Sequence, residues 1–129
     1  MSKDIEKKIR QTFLDSISVK KEIVDNDLDL VLLEAGKVIA DSIANGGKLL
    51  ICGNGGSASI SNHLVCDHLK GISQNTNLKP KVISLSSNME TITAISNDLS
   101  YEEVFVYQLS RLANNGDCLV TISSSGNSN

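Results

Sequence analysis

The sequence predicts a three-layer α/β fold in which helices cover both faces of a parallel sheet. Short apolar runs alternate along the chain with segments of helical periodicity, and this order is typical of parallel strands joined by crossover helices. The length of 129 residues suits one domain. Because 40% of the residues are hydrophobic and only 3% are aromatic, aliphatic side chains must fill the core.

Two amphipathic helices are predicted before the first strand. The first has an apolar side chain at every fourth position: Ile5, Ile9, Phe13 and Ile17. The second begins near Asp27 and ends at the Asn-Gly-Gly run of residues 45–47, where glycine tolerates a positive φ. Its stripe has spacings of three or four residues: Leu28, Leu32, Ala35, Ile39 and Ile43. We expect a helical hairpin that packs either on its own domain or against a sister subunit.

Three strands follow, separated by helices. Residues 49–52 are continuously apolar and end at Gly53, which indicates a strand covered on both faces. Residues 81–85 and 117–122 are the second and third strands, and the third follows a turn at residues 114–116. Helical patterns predict helices over residues 57–70, 89–97 and 102–113.

Composition argues against several classes of function. Twelve Lys and Arg against fifteen Asp and Glu give a net charge of -3, whereas nucleic acid and anionic membranes are bound by a basic excess. The three cysteines, Cys52, Cys66 and Cys118, are odd in number and lack CxxC spacing, which predicts small buried thiols in a reducing compartment. No apolar stretch has the length of a signal peptide core or a membrane span. We therefore expect a cytoplasmic protein with neither nucleic acid nor membrane as a partner.

Two predicted strands end in loops made almost wholly of Gly, Ser and Asn. They are Gly53-Asn54-Gly55-Gly56-Ser57, called the first loop below, and Ser123-Ser124-Ser125-Gly126-Asn127-Ser128, called the second loop. Ligands of parallel sheets collect beyond the carboxyl ends of the strands. Glycines let backbone N–H groups approach an anion, and serine hydroxyls add uncharged donors. Either loop alone is explained equally well as a tight strand-to-helix turn, but the two together favour a phosphate site.

Two common nucleotide motifs fit these loops poorly. The spacing Gly53-x-Gly55-x-x-Ala58 formally matches the dinucleotide fingerprint, which also requires an acidic residue at the end of the next strand. That strand ends instead in the Ser-Ser-Asn run of residues 86–88. A P-loop requires a lysine before its Ser or Thr, and neither loop contains a lysine. We therefore expect no nucleotide cofactor.

The order of these motifs resembles the sugar isomerase (SIS) family. The first loop is followed by His63 with an acidic residue four positions on, then by a Ser-Asn-Asp run ending at Asp98, and then by the second loop. The resemblance covers the whole chain and is greatest to members that convert sedoheptulose 7-phosphate to heptose 7-phosphate. It implies the SIS fold, with residues 1–46 as helices of the domain and residues 47–129 as the N-terminal part of its α/β region. It also implies a homotetramer with sites at subunit boundaries.

The resemblance implies a role for each residue at a matching position. Four serines would hold the sugar phosphate, with the first-loop glycines Gly55 and Gly56 beside them: Ser57, Ser123, Ser125 and Ser128. Asn54 and Asp98 would contact sugar hydroxyls, and Ser124 stands where the family has a Thr near the substrate. His63 and Asp67 occupy the places of zinc ligands. Their spacing does put both side chains on one helical face, although the same pair also occurs as a solvated or capping pair.

The implied reaction is an aldose–ketose isomerisation through an enediol, with Asp67 as the acid/base. The family has a glutamate at that position, so the carboxylate here is one methylene shorter. A second catalytic histidine and a metal-binding Gln/His pair belong to a C-terminal half of the family that this sequence does not include, so we interpret the chain as part of a longer protein. The alternative is a natural chain that completes its sheet through a partner chain. The alternative is a non-catalytic SIS module, of the kind that senses sugar phosphates in regulators or binds the bacterial replication initiator.

Overall fold

The computed structural model describes residues 3–127, with the backbone alone for Asn75, and it shows the predicted α/β architecture. Three parallel strands form one sheet in the order β2-β1-β3. The elements, in chain order, are α1 (Lys3–Asp25), α2 (Leu28–Ala44), β1 (Lys48–Gly53), α3 (Gly56–Cys66), a π-helical segment (Asp67–Ile72), α4 (Ser73–Asn75), β2 (Lys81–Ser84), α5 (Met89–Asp98), α6 (Glu103–Leu112) and β3 (Cys118–Ile122).

The central strand β1 is covered on both faces, as its continuous apolar sequence predicts. Leu49 and Ile51 point to one face, where the C-terminal part of α2 and the end of α3 pack against them. Leu50 and Cys52 point to the other face and pack with Leu85 against α6. Four consecutive residues of β1 are at most 5% exposed. The core of the sheet is therefore centred on β1.

The edge strand β3 has only one covered face. Cys118, Val120 and Ile122 pack against the cluster around Leu49 and Ile51. Leu119 and Thr121 lie on the opposite face, because they are in register with Leu50 and Cys52 of β1. Leu119 is 44% exposed there, since α6 covers β1 and not β3.

The N-terminal helices are confirmed, and the chain divides into two compact units within the second one. The first unit is Met1–Lys37 and the second is Val38–Asn129. Within the first unit, the predicted stripe of α1 is exposed along its length, with Phe13 at 67% and Ile17 at 63%. The later part of α2 belongs to the second unit, where Ile39 packs against the sheet. In the part of the chain that the structure describes, no helix has the length and apolar character that crossing a bilayer requires.

Two sequence predictions need correction around α3. The helix expected over residues 57–70 is interrupted, because the π-helical segment begins at Asp67. There the ring Nδ1 of His68 lies 2.8 Å from the carbonyl oxygen of Leu64 and so competes for that oxygen. The cysteines are not uniformly buried, since Cys52 is buried, Cys118 is half-buried and Cys66 is exposed. Cys66 is exposed because the inner face of α3 is formed by Ser57 and Ser61.

Candidate functional site

The first and second loops meet at the carboxyl edge of the sheet. This follows from the pairing of β1 with β3, which places Gly53 opposite Ile122 at the ends of the two strands. Between the loops lies a cleft of about 440 Å³. Its lining comes from both loops, both strand ends and α6: Cys52, Gly53, Asn54, Ser57, Phe105, Thr121, Ile122, Ser123, Ser124 and Gly126.

Two glycines give the first loop its shape. A Cβ on Gly53 would lie 2.7 Å from the Cβ of Ser57 and 2.9 Å from the carbonyl oxygen of Ile122, so only glycine lets the loop pass between α3 and β3. Gly55 has a φ of +54°, a backbone conformation that residues other than glycine rarely adopt. The loop therefore turns sharply from β1 into α3 at the floor of the cleft.

The N-terminus of α3 supplies polar groups to the cleft. The N–H of Ser57 donates to the carbonyl of Asn54 at 2.9 Å, and that of Ala58 donates to the carbonyl of Gly55 at 3.1 Å. Ser57 itself is buried and lines the cleft on the first turn of α3. Both of these N–H groups already have backbone partners, so the attraction of this helix N-terminus for an anion comes from the positive end of the helix dipole.

Serine hydroxyls of the second loop are held by backbone groups of the same loop. The N–H of Gly126 donates to Ser123 Oγ at 3.1 Å, and that of Asn127 donates to Ser125 Oγ at 3.2 Å. The two hydroxyl oxygens lie 3.4 Å apart. Among the described residues that line the cleft, none has a charged side chain. An anion bound there would be held by neutral donors.

Two residues that the sequence analysis did not assign to the site form hydrogen bonds with the first loop. The Ser86 hydroxyl donates to the carbonyl of Gly53 at 2.7 Å and accepts from the N–H of Gly53 at 3.1 Å. The phenol of Tyr101 donates to Asn54 Oδ1 at 2.9 Å. Both contacts join segments that are 33 and 47 residues apart, respectively, so no local sequence signal could have identified them.

Cys52 forms part of the apolar wall of the cleft. Its side chain is buried between β1 and α6, and this burial raises the pKa of the Cys52 thiol. A thiol with a raised pKa is a poor nucleophile at neutral pH. Cys52 therefore contributes packing to the cleft and no reactive group.

The remaining predicted site residues lie apart from the cleft lining. Asp98 is at the C-terminal end of α5, where its Oδ1 accepts from the side-chain amide of Asn97 at 2.8 Å, and it lines a separate depression with Leu99 and Tyr107. Gly55, Gly56 and Ser125 belong to the loops without lining the cleft. Ser128 is outside the described residues.

His63 and Asp67 lie side by side, one helical turn apart. His63 Nε2 is 3.5 Å from Asp67 Oδ1, and their side chains are 75% and 53% exposed. Within residues 3–127 no group of three or more His, Cys, Asp and Glu side chains could hold a metal ion. Catalytic zinc sites use three protein ligands, so the pair fits the donor chemistry of zinc but supplies too few ligands alone.

The fold is a three-layer α/β domain that carries two serine- and glycine-rich loops at one end of its parallel sheet. The chain belongs to the SIS domain family, whose sequence profile matches residues 12–129. It is 37% identical over 125 residues to a phosphoheptose isomerase of Thermodesulfovibrio yellowstonii, covering 97% of this chain and 61% of that protein. It is 39% identical over 120 residues to a phosphoheptose isomerase of Helicobacter pylori, covering 93% of this chain and 62% of that protein.

Solved structures agree with these sequence matches. The phosphoheptose isomerase of Neisseria gonorrhoeae superposes with a TM-score of 0.83 at 32% identity, covering 96% of this chain and 63% of that one. A phosphoheptose isomerase of Francisella tularensis gives a TM-score of 0.82 at 34% identity, covering 99% of this chain and 64% of that one. The chain thus spans 61% to 64% of the length of these four relatives.

Proposed function

We propose that the protein is a phosphosugar isomerase that interconverts sedoheptulose 7-phosphate and heptose 7-phosphate. The observation that carries this proposal is the uncharged cleft in which the two loops meet at the carboxyl edge of the sheet. The four relatives reported above are all phosphoheptose isomerases, which supports this substrate class. They give no support to a non-catalytic SIS module.

The phosphate would be held by hydroxyl and N–H groups of both loops. Ser57 lies at the N-terminus of α3, where the helix dipole favours negative charge. Ser123 lines the cleft, and its hydroxyl lies 3.4 Å from that of Ser125. By resemblance, Ser125 would also contact the phosphate. By resemblance, Ser128 would add a fourth hydroxyl, while Asn54 and Asp98 would contact the sugar. Neutral donors suit an enzyme that must release its phosphorylated product.

Isomerisation requires a base that moves a proton between C1 and C2 through an enediol. We infer that Asp67 is this base, by its position in the family motif. Its side chain is 53% exposed, so it is accessible to a substrate. Because Asp67 lies outside the cleft lining, we propose that it acts in a site formed between subunits.

Turnover of sedoheptulose 7-phosphate by the full-length protein tests this proposal. We expect the aldose product to appear in a proton NMR assay, and Asp67→Asn to lower kcat by about 10²- to 10⁴-fold, the usual contribution of general acid–base catalysis. Asp67→Glu, which keeps the carboxylate, should retain measurable activity. If Asp67→Asn turns over at the wild-type rate, Asp67 is not the base. If the wild type binds the sugar phosphate without converting it, the protein is a binding module.

We also propose that His63 and Asp67 form part of a zinc site completed by ligands outside the described residues. Bound zinc would polarise the sugar oxygens. The proposal is supported by a nitrogen and a carboxylate donor on one helical face, 3.5 Å apart. Metal analysis of the purified protein tests it, with His63→Ala losing zinc and His68→Ala retaining it. His68 is a suitable control because its ring already contacts the carbonyl of Leu64.

We propose that the protein is a homo-oligomer, as the family resemblance implies a tetramer. The support is the stripe on α1, where Ile9 and Phe13 are 49% and 67% exposed, since exposed apolar stripes commonly mark protein interfaces. Light scattering should give the mass of an oligomer, and Phe13→Asp should reduce it. A monomeric wild type would contradict this proposal.

A cytoplasmic location remains our proposal for the compartment. The described cysteines are free thiols, and Cys66 is exposed. Exposed thiols persist in reducing compartments and are oxidised in secretory ones. Cell fractionation followed by thiol titration of Cys66 would test this.

A further inference from the structure

Tyr101 is linked to the cleft only indirectly, through the side chain of Asn54 in the first loop. It lies in the turn between α5 and α6, and its phenol donates to Asn54 Oδ1 at 2.9 Å. Asn54 is exposed and lines the cleft. Tyr101 does not line the cleft, so its influence on a ligand must pass through Asn54.

The direction of this hydrogen bond decides which end of the Asn54 amide remains available. A phenol that donates occupies the carbonyl oxygen, and the two N–H donors of Nδ2 then remain for another acceptor. Hydroxyl and phosphate oxygens are such acceptors. We propose that Tyr101 is a positioning residue that orients the Asn54 amide so that its N–H groups face the sugar of the bound substrate. This inference rests on the proposed function.

Tyr101 is itself held by a part of the fold that is separate from the first loop. The N–H of Val104 donates to the carbonyl of Tyr101 at 3.2 Å, and Val104 is 2% exposed at the start of α6. The carbonyl of Val104 accepts from Gln108 Nε2, which also donates to the carbonyl of Leu85. The backbone of Tyr101 is thus tied to the buried start of α6, while its side chain is 56% exposed and extends to Asn54.

A residue that only stabilises the first loop, called a brace here, and a residue that positions Asn54 differ in which ligands they affect. A brace that only stabilises the first loop would affect all ligands of the cleft equally and would act whether or not residue 54 has an amide. A positioning residue affects only ligands that contact Asn54, and its effect disappears when the amide is removed. Inorganic phosphate separates these cases, because the proposed phosphate contacts are serines.

The experiment is a double-mutant cycle on the full-length protein with sedoheptulose 7-phosphate, measured by calorimetry. Tyr101→Phe should raise the Kd about fivefold, the effect of one ordinary hydrogen bond. The same substitution in an Asn54→Ala background should have no further effect, and the Kd of inorganic phosphate should not change. Ser110→Ala is the matched control, because it also removes one side-chain hydrogen bond, the one from the Ser110 hydroxyl to the carbonyl of Tyr107 within α6.

The inference is overturned if Tyr101→Phe leaves the Kd of sedoheptulose 7-phosphate unchanged, or if it weakens binding equally with and without the Asn54 amide. Weaker binding of inorganic phosphate would show a general brace and would also overturn it. A wild-type protein that binds inorganic phosphate but not sedoheptulose 7-phosphate would overturn the proposed function and, with it, this inference. Failure of the variant alone leaves the proposed function intact.

Discussion

Asp117 links the N-terminal ends of β1 and β3, at the end of the sheet opposite the cleft. Its carboxylate accepts from the ammonium of Lys48 at 2.7 Å, from the N–H of Lys48 at 2.7 Å and from the N–H of Asn114 at 2.7 Å. These contacts, the Lys48 side chain first, lower the pKa of Asp117 from 3.8 to about 2. The carboxylate therefore ties β1 to the turn that begins β3.

The lowered pKa of Asp117 makes its contribution to stability dependent on pH. Because the folded state binds the proton less tightly than the unfolded state, the contribution is complete above about pH 4 and is lost as the pH falls from about 4 to about 2. We expect Asp117→Asn to lower the urea midpoint at pH 7, and its difference from the wild type to shrink below pH 4. Asp41→Asn, at an exposed position on α2, is the control. A difference that stays constant from pH 7 to pH 2 would show that ionisation of Asp117 does not matter.

Some residues of the site could be predicted from the sequence alone, and others could not. The serines and glycines of both loops were predicted because composition and position after a strand are local signals. Tyr101 was missed because its partner Asn54 is 47 residues away. Ser86 was noticed only as a position lacking an acidic residue, although its hydroxyl makes two hydrogen bonds to Gly53. Contacts between distant segments depend on packing that local sequence does not encode.

The helices and strands could likewise be predicted from the sequence only where a local pattern of residues signals them. Apolar periodicity predicted every strand and every long helix to within a few residues, because burial of one face or both faces leaves a regular pattern. It could not predict the π-helical segment Asp67–Ile72, since an i→i+5 pattern leaves no distinct periodicity over so few residues. The exposure of Cys66 on α3 was missed for a related reason, because small residues, Ser57 and Ser61, form the buried face.

The first loop passes closely between α3 and β3 at Gly53, and this close approach predicts how a substitution there would affect the packing of the two elements. In Gly53→Ala the new Cβ would overlap Ser57 and the carbonyl of Ile122, so β3 or α3 must shift. We expect a loss of about 1–3 kcal/mol in the free energy of unfolding, as for other overpacked sites. Weaker binding of sedoheptulose 7-phosphate should accompany it, because the two loops would separate.

The control for this substitution is Gly36→Ala in α2. A Cβ on Gly36 meets nothing within 4 Å, and alanine favours a helix interior by up to about 1 kcal/mol over glycine. Denaturant unfolding should therefore show Gly36→Ala as neutral or stabilising. Equal destabilisation by both substitutions would mean that the close approach at Gly53 is not what requires glycine there.

For the molecule as a whole, the order of the strands in the sheet determines which loops meet to form the cleft. The alternation of strands and helices predicted a parallel sheet, but which strands are neighbours was not readable from periodicity. The order β2-β1-β3 places the first and second loops side by side, and it leaves Asp98 at the end of α5, outside the cleft lining. The exposed side chains Phe13 and Leu119 lie on surfaces that a hydrophobic pattern alone would assign to a core.

The central claim is that the cleft between the two loops binds the phosphate of a sugar. The most direct test is a titration of the 15N-labelled full-length protein with sedoheptulose 7-phosphate, followed by amide chemical shifts, with unphosphorylated sedoheptulose as the control. We predict the largest shifts at residues 53–58 and 121–127 with the phosphorylated sugar, and far smaller shifts with the control. Saturable binding with shifts confined to other parts of the sheet, or equal shifts with both sugars, would contradict the claim.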